Sequence, residues 1–163
     1  MKYKVLTLWE PWATLLVHGI KKIETRPKPT TWTIEKGSYL IHSAKKWTRE
    51  QRELIHDDIF RISLSQCDKK IWLHGFNFGH IIGAVDVVEC IQITYITEKL
   101  ENFIISLDTI VSRKEYGMGN YNIGRYMWMT ENHRILETPI PYKGGQGYYQ
   151  DFKGDVNQLK FKD

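Results

Sequence analysis

Lys21, Glu24 and Arg26 place an amine, a carboxylate and a guanidinium on one short segment, Gly19-Ile-Lys21-Lys-Ile-Glu24-Thr-Arg26. A lysine donates to a phosphate or carbonyl oxygen, and an arginine forks onto phosphate or a base edge. A glutamate accepts from an exocyclic amine or moves a proton. These residue types so close together suit a polar pocket facing a nucleotide or an RNA. Spacing alone also allows a plainer reading, and favours it: a Glu24–Arg26 surface pair of little energetic value.

Other chemistries find less support. The six histidines, His18, His42, His56, His74, His80 and His133, do not recur at ligand spacing, so no metal and no cofactor is expected. Gly117-Met-Gly119 does not lie between a strand and a helix, as a dinucleotide fold requires. Lys143-Gly-Gly-Gln-Gly147 reads as a surface loop, with phosphate cradling as the alternative. No serine or cysteine sits in a nucleophile-elbow pattern. Cys67 and Cys90 are too few for a disulfide framework and read as buried or free thiols.

The elements that must position the charged segment follow from local pattern. Val5 to Leu8 is a short apolar strand. Pro11 opens a helix and Gly19 closes it, positions that suit proline's fixed φ and glycine's left-handed freedom. Ile23 and Thr25 then alternate with Lys22, Glu24 and Arg26 as a half-exposed strand, with Lys21 at the turn. Gly37 to Ser43 is a further strand, and Thr48 to Ile62 reads as a capped helix. Leu64 to Gly79 reads as loop, His80 to Val88 as the strongest strand, and Thr97 to Ile105 as a helix. Tyr126 to Thr130 and Arg134 to Leu136 are strands around a turn at Glu131-Asn132, before a glycine-rich loop from Pro141 to Tyr149. No repeat or linker divides residues 1–163, so a single α+β domain with a small curled sheet or barrel is expected.

Bulk composition agrees with a globular domain. Of 163 residues, 42% are hydrophobic and 26% charged, and an aromatic share of 13% can fill a core or offer stacking faces. The net charge of +4 is unevenly spread: residues 1–52 carry +7 and the remainder −3. A basic first third suits a polyanion, although a solvated face needs no partner. Charge and proline interrupt the N-terminus, so neither a signal peptide nor a membrane span is expected, and the chain reads as cytoplasmic.

Taken together, Leu6-Thr-Leu-Trp9-Glu-Pro11-Trp12-Ala13 and the Gly19–Arg26 segment resemble the opening of the ASCH domain, a branch of the PUA-like superfamily. That opening is an apolar strand, a turn into a helix, and Gly-x-Lys-x-x-Glu-x-Arg. Tyr39-Leu-Ile-His42-Ser-Ala44, His80-Ile-Ile-Gly83-Ala-Val-Asp86, Gly124-Arg-Tyr126-Met-Trp128 and Pro139-Ile-Pro141-Tyr-Lys143-Gly144 extend the likeness over nearly the whole chain. The resemblance implies a PUA-like small β-barrel with flanking helices and a cleft beside the signature. Trp9, Lys21, Glu24 and Arg26 would line it, with Trp12 behind them. His42, Trp128 and Lys143 join as ligand-binding candidates through matching strands rather than through chemistry.

The resemblance further implies binding of RNA or a nucleotide, with a base stacked on an aromatic ring and phosphate held by Lys21 and Arg26. A monomer is expected, with a protein partner docked at Tyr148-Tyr149 as a further option. Enzymatic relatives offer an alternative, with Lys21 and Glu24 as catalytic residues. Some small ASCH-like proteins deacylate N4-acetylcytidine, but they carry threonine where this chain has Glu24, and Thr25 falls on the opposite strand face. At least one ASCH protein behaves as a ribonuclease, for which lysine, glutamate and arginine would suffice.

Overall fold

The computed structural model describes residues 3–27, 35–145 and 149–163. Its main sheet has six strands in the order β2-β8-β4-β3-β1-β9. These are β1 (Lys4–Leu8), β2 (Ile23–Arg26), β3 (Gly37–Ser43), β4 (His80–Gln92), β8 (Tyr126–Pro141) and β9 (Gln150–Asp151). Among the described residues, β1 and β3 run parallel and the other pairs of this sheet are antiparallel. A second sheet orders β5 (Ile96–Glu98), β6 (Asn102–Ile105) and β7 (Thr109–Ser112). Among the described residues, five short α-helices complete the α+β fold: α1 (Trp12–Val17), α2 (Arg49–Leu54), α3 (Asp58–Ser65), α4 (Lys69–His74) and α5 (Arg113–Gly117).

The curl of the main sheet is built into its longest pair. The β4–β8 register shifts between Ile81 and Gly83, Ala84 and Asp86, and Val87 and Glu89. Each such irregularity bends a strand and raises its twist. The turn expected at Glu131-Asn132 is one of these features within a continuous β8. Asn132 takes φ +48, and the Asp86 carboxylate accepts from Asn132 Nδ2 and Arg134 Nη2, both at 2.8 Å. Gly83 is needed at the centre, because a Cβ there would run into the Arg134 carbonyl and the Val17 side chain. The close approach lets α1 lie flat on the sheet, burying Ala13, Leu16 and Val17 with Leu6, Leu8, Tyr39, Ile41, Val85 and Trp128.

Local capping redraws three expected segments. The helix expected over Thr48–Ile62 is two helices, because Asp57 leaves the helical conformation and its side chain accepts from Ile59 N–H at 3.0 Å, starting α3. The stretch read as loop from Leu64 contains α4, opened by Asp68 accepting from Lys70 N–H and ended by Gly75 at φ +78. Thr97–Ile105 is not a helix. It forms β5 and β6, where β-branched residues fill a pleated surface. Ile105 and Val111 from this second sheet pack with Ile23, Ile91, Ile93, Tyr121 and Met127 of the main body.

Candidate functional site

Gly19 sets the position of the charged segment. It takes φ +67 after α1, and the N–H groups of Ile20 and Lys21 both reach the Leu15 carbonyl at 3.1 Å. This left-handed cap reverses the chain and turns Lys21 inward. Glu115, at the middle of α5, then clamps the start of β2. Its carboxylate accepts from the N–H of Lys22 at 2.9 Å and of Ile23 at 3.1 Å, and lies 3.5 Å from Lys21 Nζ.

Lys21 is 1% exposed. Its ammonium has the Glu115 ion pair but no hydrogen bond among the described residues. An ammonium carries three donors, and burying it without acceptors is costly. Lys22, by contrast, is exposed, so the face expected to carry Lys22, Glu24 and Arg26 together holds only the last two inside.

Arg26 is largely committed to the protein. Its Nη2 donates to the Thr7 carbonyl at 2.9 Å, and its Nε lies 3.0 Å from Glu24 Oε1 in an ion pair without hydrogen-bond geometry. Its guanidinium also sits 5.9 Å from the Trp128 ring centroid. The Glu24–Arg26 pair that spacing placed on the surface is therefore an inner pair, with side chains 11% and 21% exposed.

These residues form one wall of a cleft of about 470 Å³, within the usual range for a small-molecule site. Trp9, Lys21, Glu24, Thr25 and Arg26 all line it, as do Asn120 and Arg125. Apolar side chains line it as well, from Leu8, Trp12, Leu54, Phe60 and Met118. Trp12 holds its place by donating Nε1–H to the Met118 carbonyl at 2.8 Å and by an edge-on contact with Phe60. Trp9 stands at the mouth, 46% exposed, with Lys46 Nζ 4.4 Å from its ring centroid. The lining thus combines polar groups able to bond a heterocycle's edge with apolar and aromatic side chains able to cover its face.

The other candidates lie elsewhere. His42 is buried and does not line the cleft, but Thr7, which does, has its Oγ1 3.1 Å from His42 Nδ1. Burial lowers the His42 pKa, and Gly144 packs directly on its ring. Trp128 is fully buried in the core. Lys143 is exposed and does not line the cleft; its carbonyl accepts from Gln150 Nε2 at 3.4 Å. Tyr149 packs edge-on against Tyr39 under Lys4, while Tyr148 and the loop residues 146–147 lie outside the described residues.

Several contributors gave no sequence signal: Glu115, Asn120, Tyr121 and Arg125. Arg125 donates to the carbonyls of Asn120 and Thr25, each at 3.0 Å, and Thr25 Oγ1 accepts from Asn120 N–H at 3.2 Å. Thr25, expected on the opposite strand face, therefore also belongs to the cleft wall. Tyr121 lies beneath, its phenol pushed far up by burial and by the Glu115 and Glu24 carboxylates. Among the described residues, no group of three or more His, Cys, Asp or Glu side chains is arranged to hold a metal. No helix there is long and apolar enough to cross a membrane.

A curled α+β sheet with flanking helices, carrying a basic cleft beside its first strands, defines a PUA-like class of fold. The family model of the ASCH domain matches residues 6–144, and the chain belongs to that family. Among solved structures it is similar to a mutant ZmASCH protein from Zymomonas mobilis. The identity is 16%, over 85% of this chain and 73% of that chain, with a TM-score of 0.43.

Proposed function

We propose that this chain is a single-domain, monomeric protein that binds RNA or a nucleotide in the cleft between β2 and the segment after α5. Membership of a family proposed to bind RNA supports the reading. The observation that carries it is Lys21, a cleft-lining residue whose buried ammonium has the Glu115 ion pair but no hydrogen-bond acceptor among the described residues. A carbonyl or phosphate oxygen of the ligand supplies that acceptor. Glu24 accepts from a base amine, and Trp9 and Trp12 cover the ring faces. Arg26 serves chiefly to fix Glu24, so Lys21 carries more of the binding than Arg26 does. Filter binding of single-stranded RNA at two salt concentrations tests this. Affinity should fall as salt rises, and absence of binding at low salt contradicts the proposal.

A second reading, a hydrolase acting on RNA or on a modified nucleoside, is supported by the buried Lys21–Glu115 pair and by Thr25, which lines the same cleft as Lys21. Incubation with N4-acetylcytidine and with labelled RNA, with and without divalent metal, separates the two. Bound but unchanged RNA, together with intact N4-acetylcytidine, removes the hydrolase.

A further inference from the structure

Immediately after β3 the chain places Lys45, Lys46 and Trp47 beside the cleft mouth. Trp47 contacts Phe76 and Phe78 at ring-centroid distances of 5.5 and 5.3 Å, and the two phenylalanines lie 5.8 Å apart. All three residues are half-buried, and Phe76 also packs against the buried cluster of Leu15, Phe60 and Met118. The Lys46 ammonium meanwhile rests over Trp9. Neighbouring residues thus link an aromatic cluster to the exposed tryptophan at the cleft.

That link is fixed by hydrogen bonds. Thr48 and Gln51 form a reciprocal cap on α2. Gln51 is 2% exposed, and its amide donates to the Glu10 carbonyl at 2.7 Å and the Lys46 carbonyl at 3.3 Å. Since Glu10 follows Trp9, one buried amide holds both aromatic positions in register. Gly79 N–H donates to the Ser43 carbonyl at 2.7 Å, anchoring the Phe76–Phe78 loop to the end of β3.

The patch is also basic. Residues 45–52 hold Lys45, Lys46, Arg49 and Arg52 against Glu50 alone. Arg49 pairs with Glu53, and Arg52 donates to the Trp47 carbonyl. Lys45 and Lys46 are exposed and form no ion pair among the described residues. Half-buried aromatic residues flanked by unpaired lysines match the chemistry of unpaired nucleic acid, in which bases stack while the backbone carries negative charge.

We infer that Trp47, Phe76 and Phe78, with Lys45 and Lys46, form a second base-stacking platform continuous with the cleft, so that the ligand is a single-stranded oligonucleotide rather than a free mononucleotide. This rests on the cleft being a nucleotide site. The test compares a mixed-sequence single-stranded RNA of about eight residues with the four nucleoside 5′-monophosphates, by titration of tryptophan fluorescence and by calorimetry. The RNA should bind about tenfold or more tightly than any monophosphate. Trp47→Ala should remove that advantage while leaving monophosphate affinity unchanged. Lys46→Ala, at an exposed position, should lower RNA affinity and its salt dependence in a protein of unaltered melting temperature. RNA binding no tighter than monophosphate binding, or an advantage untouched in both variants, overturns the platform and leaves the cleft standing. Failure of RNA and monophosphates alike to bind overturns the cleft reading, and the platform with it.

Discussion

The guanidinium of Arg26 donates to the backbone carbonyl of Thr7 at 2.9 Å, joining β2 to β1 although β8, β4 and β3 stand between them in the sheet. The contact is possible only because the sheet curls back on itself. Arg26 thereby joins the strand carrying Glu24 to the strand leading to Trp9, and sets the width of the cleft from one side.

Replacing Arg26 by lysine should therefore act first on stability. Lysine keeps the charge but cannot face Glu24 and reach Thr7 with a rigid fork. A loss of about 2 kcal/mol is expected, the scale of a charge-assisted hydrogen bond, read by urea unfolding. The salt slope of RNA binding should stay near that of the wild type, because Arg26 is engaged within the protein. A stable variant with a reduced slope would make Arg26 a phosphate ligand instead.

Lys21 and Glu115 should respond unequally to removal. Glu115→Gln leaves a buried ammonium without its counter-charge and weakens the clamp on Lys22 and Ile23 N–H. It should cost about 3 kcal/mol or more. Lys21→Met removes the buried charge, and Glu115 keeps both backbone donors, so its cost should be clearly smaller. Equal losses in denaturant unfolding would mean that the ion pair, rather than the backbone clamp, holds the turn.

How far these features are legible in the sequence follows from how local they are. The Pro11–Gly19 helix and the strand bearing Glu24 and Arg26 are short-range patterns, and the structure has them within a residue or two. The partners of Lys21 and Thr25 are not local. Glu115, which pairs with Lys21, and Asn120 and Arg125, which bond Thr25, arrive from about a hundred residues away, past a segment whose β-branched strands read as a helix. Trp128 and His42 have chemically able side chains, but their alternating strands turn them into the core, which residue type alone does not reveal. The Glu24–Arg26 pair was legible as a pair and illegible as an inner one, since its burial depends on the sheet's curl.

Glu10 predicts a pH dependence of stability. It is fully buried, and burial raises its pKa from 4.5 to about 7, partly offset by the hydrogen bonds that the Thr14 N–H and hydroxyl donate to it. The folded state then holds a proton that the unfolded state releases above pH 4.5. Its stabilising contribution is fully present below that pH and is lost as pH rises through about 7. The difference is about 3 kcal/mol. Melting temperature should fall between pH 5 and 8 in the wild type and fall less in Glu10→Gln. Parallel profiles would show that the carboxyl is ionised throughout.

Trp9→Ala should separate binding from folding. Its ring is almost half exposed at the cleft mouth, so little core is lost. RNA affinity should drop by about 1–3 kcal/mol, the scale of one base–aromatic stack, with the melting temperature nearly unchanged. Unchanged affinity by filter binding would take Trp9 out of the site.

The most direct test of the account measures RNA affinity and melting temperature on one preparation of Lys21→Met. The substitution keeps the length of the buried stem of this cleft-lining residue and removes its ammonium, together with the ion pair to Glu115. The account predicts a folded protein that binds single-stranded RNA at least about tenfold more weakly than the wild type at low salt, the loss of one charge-assisted hydrogen bond. A folded Lys21→Met protein that binds RNA as tightly as the wild type would contradict it.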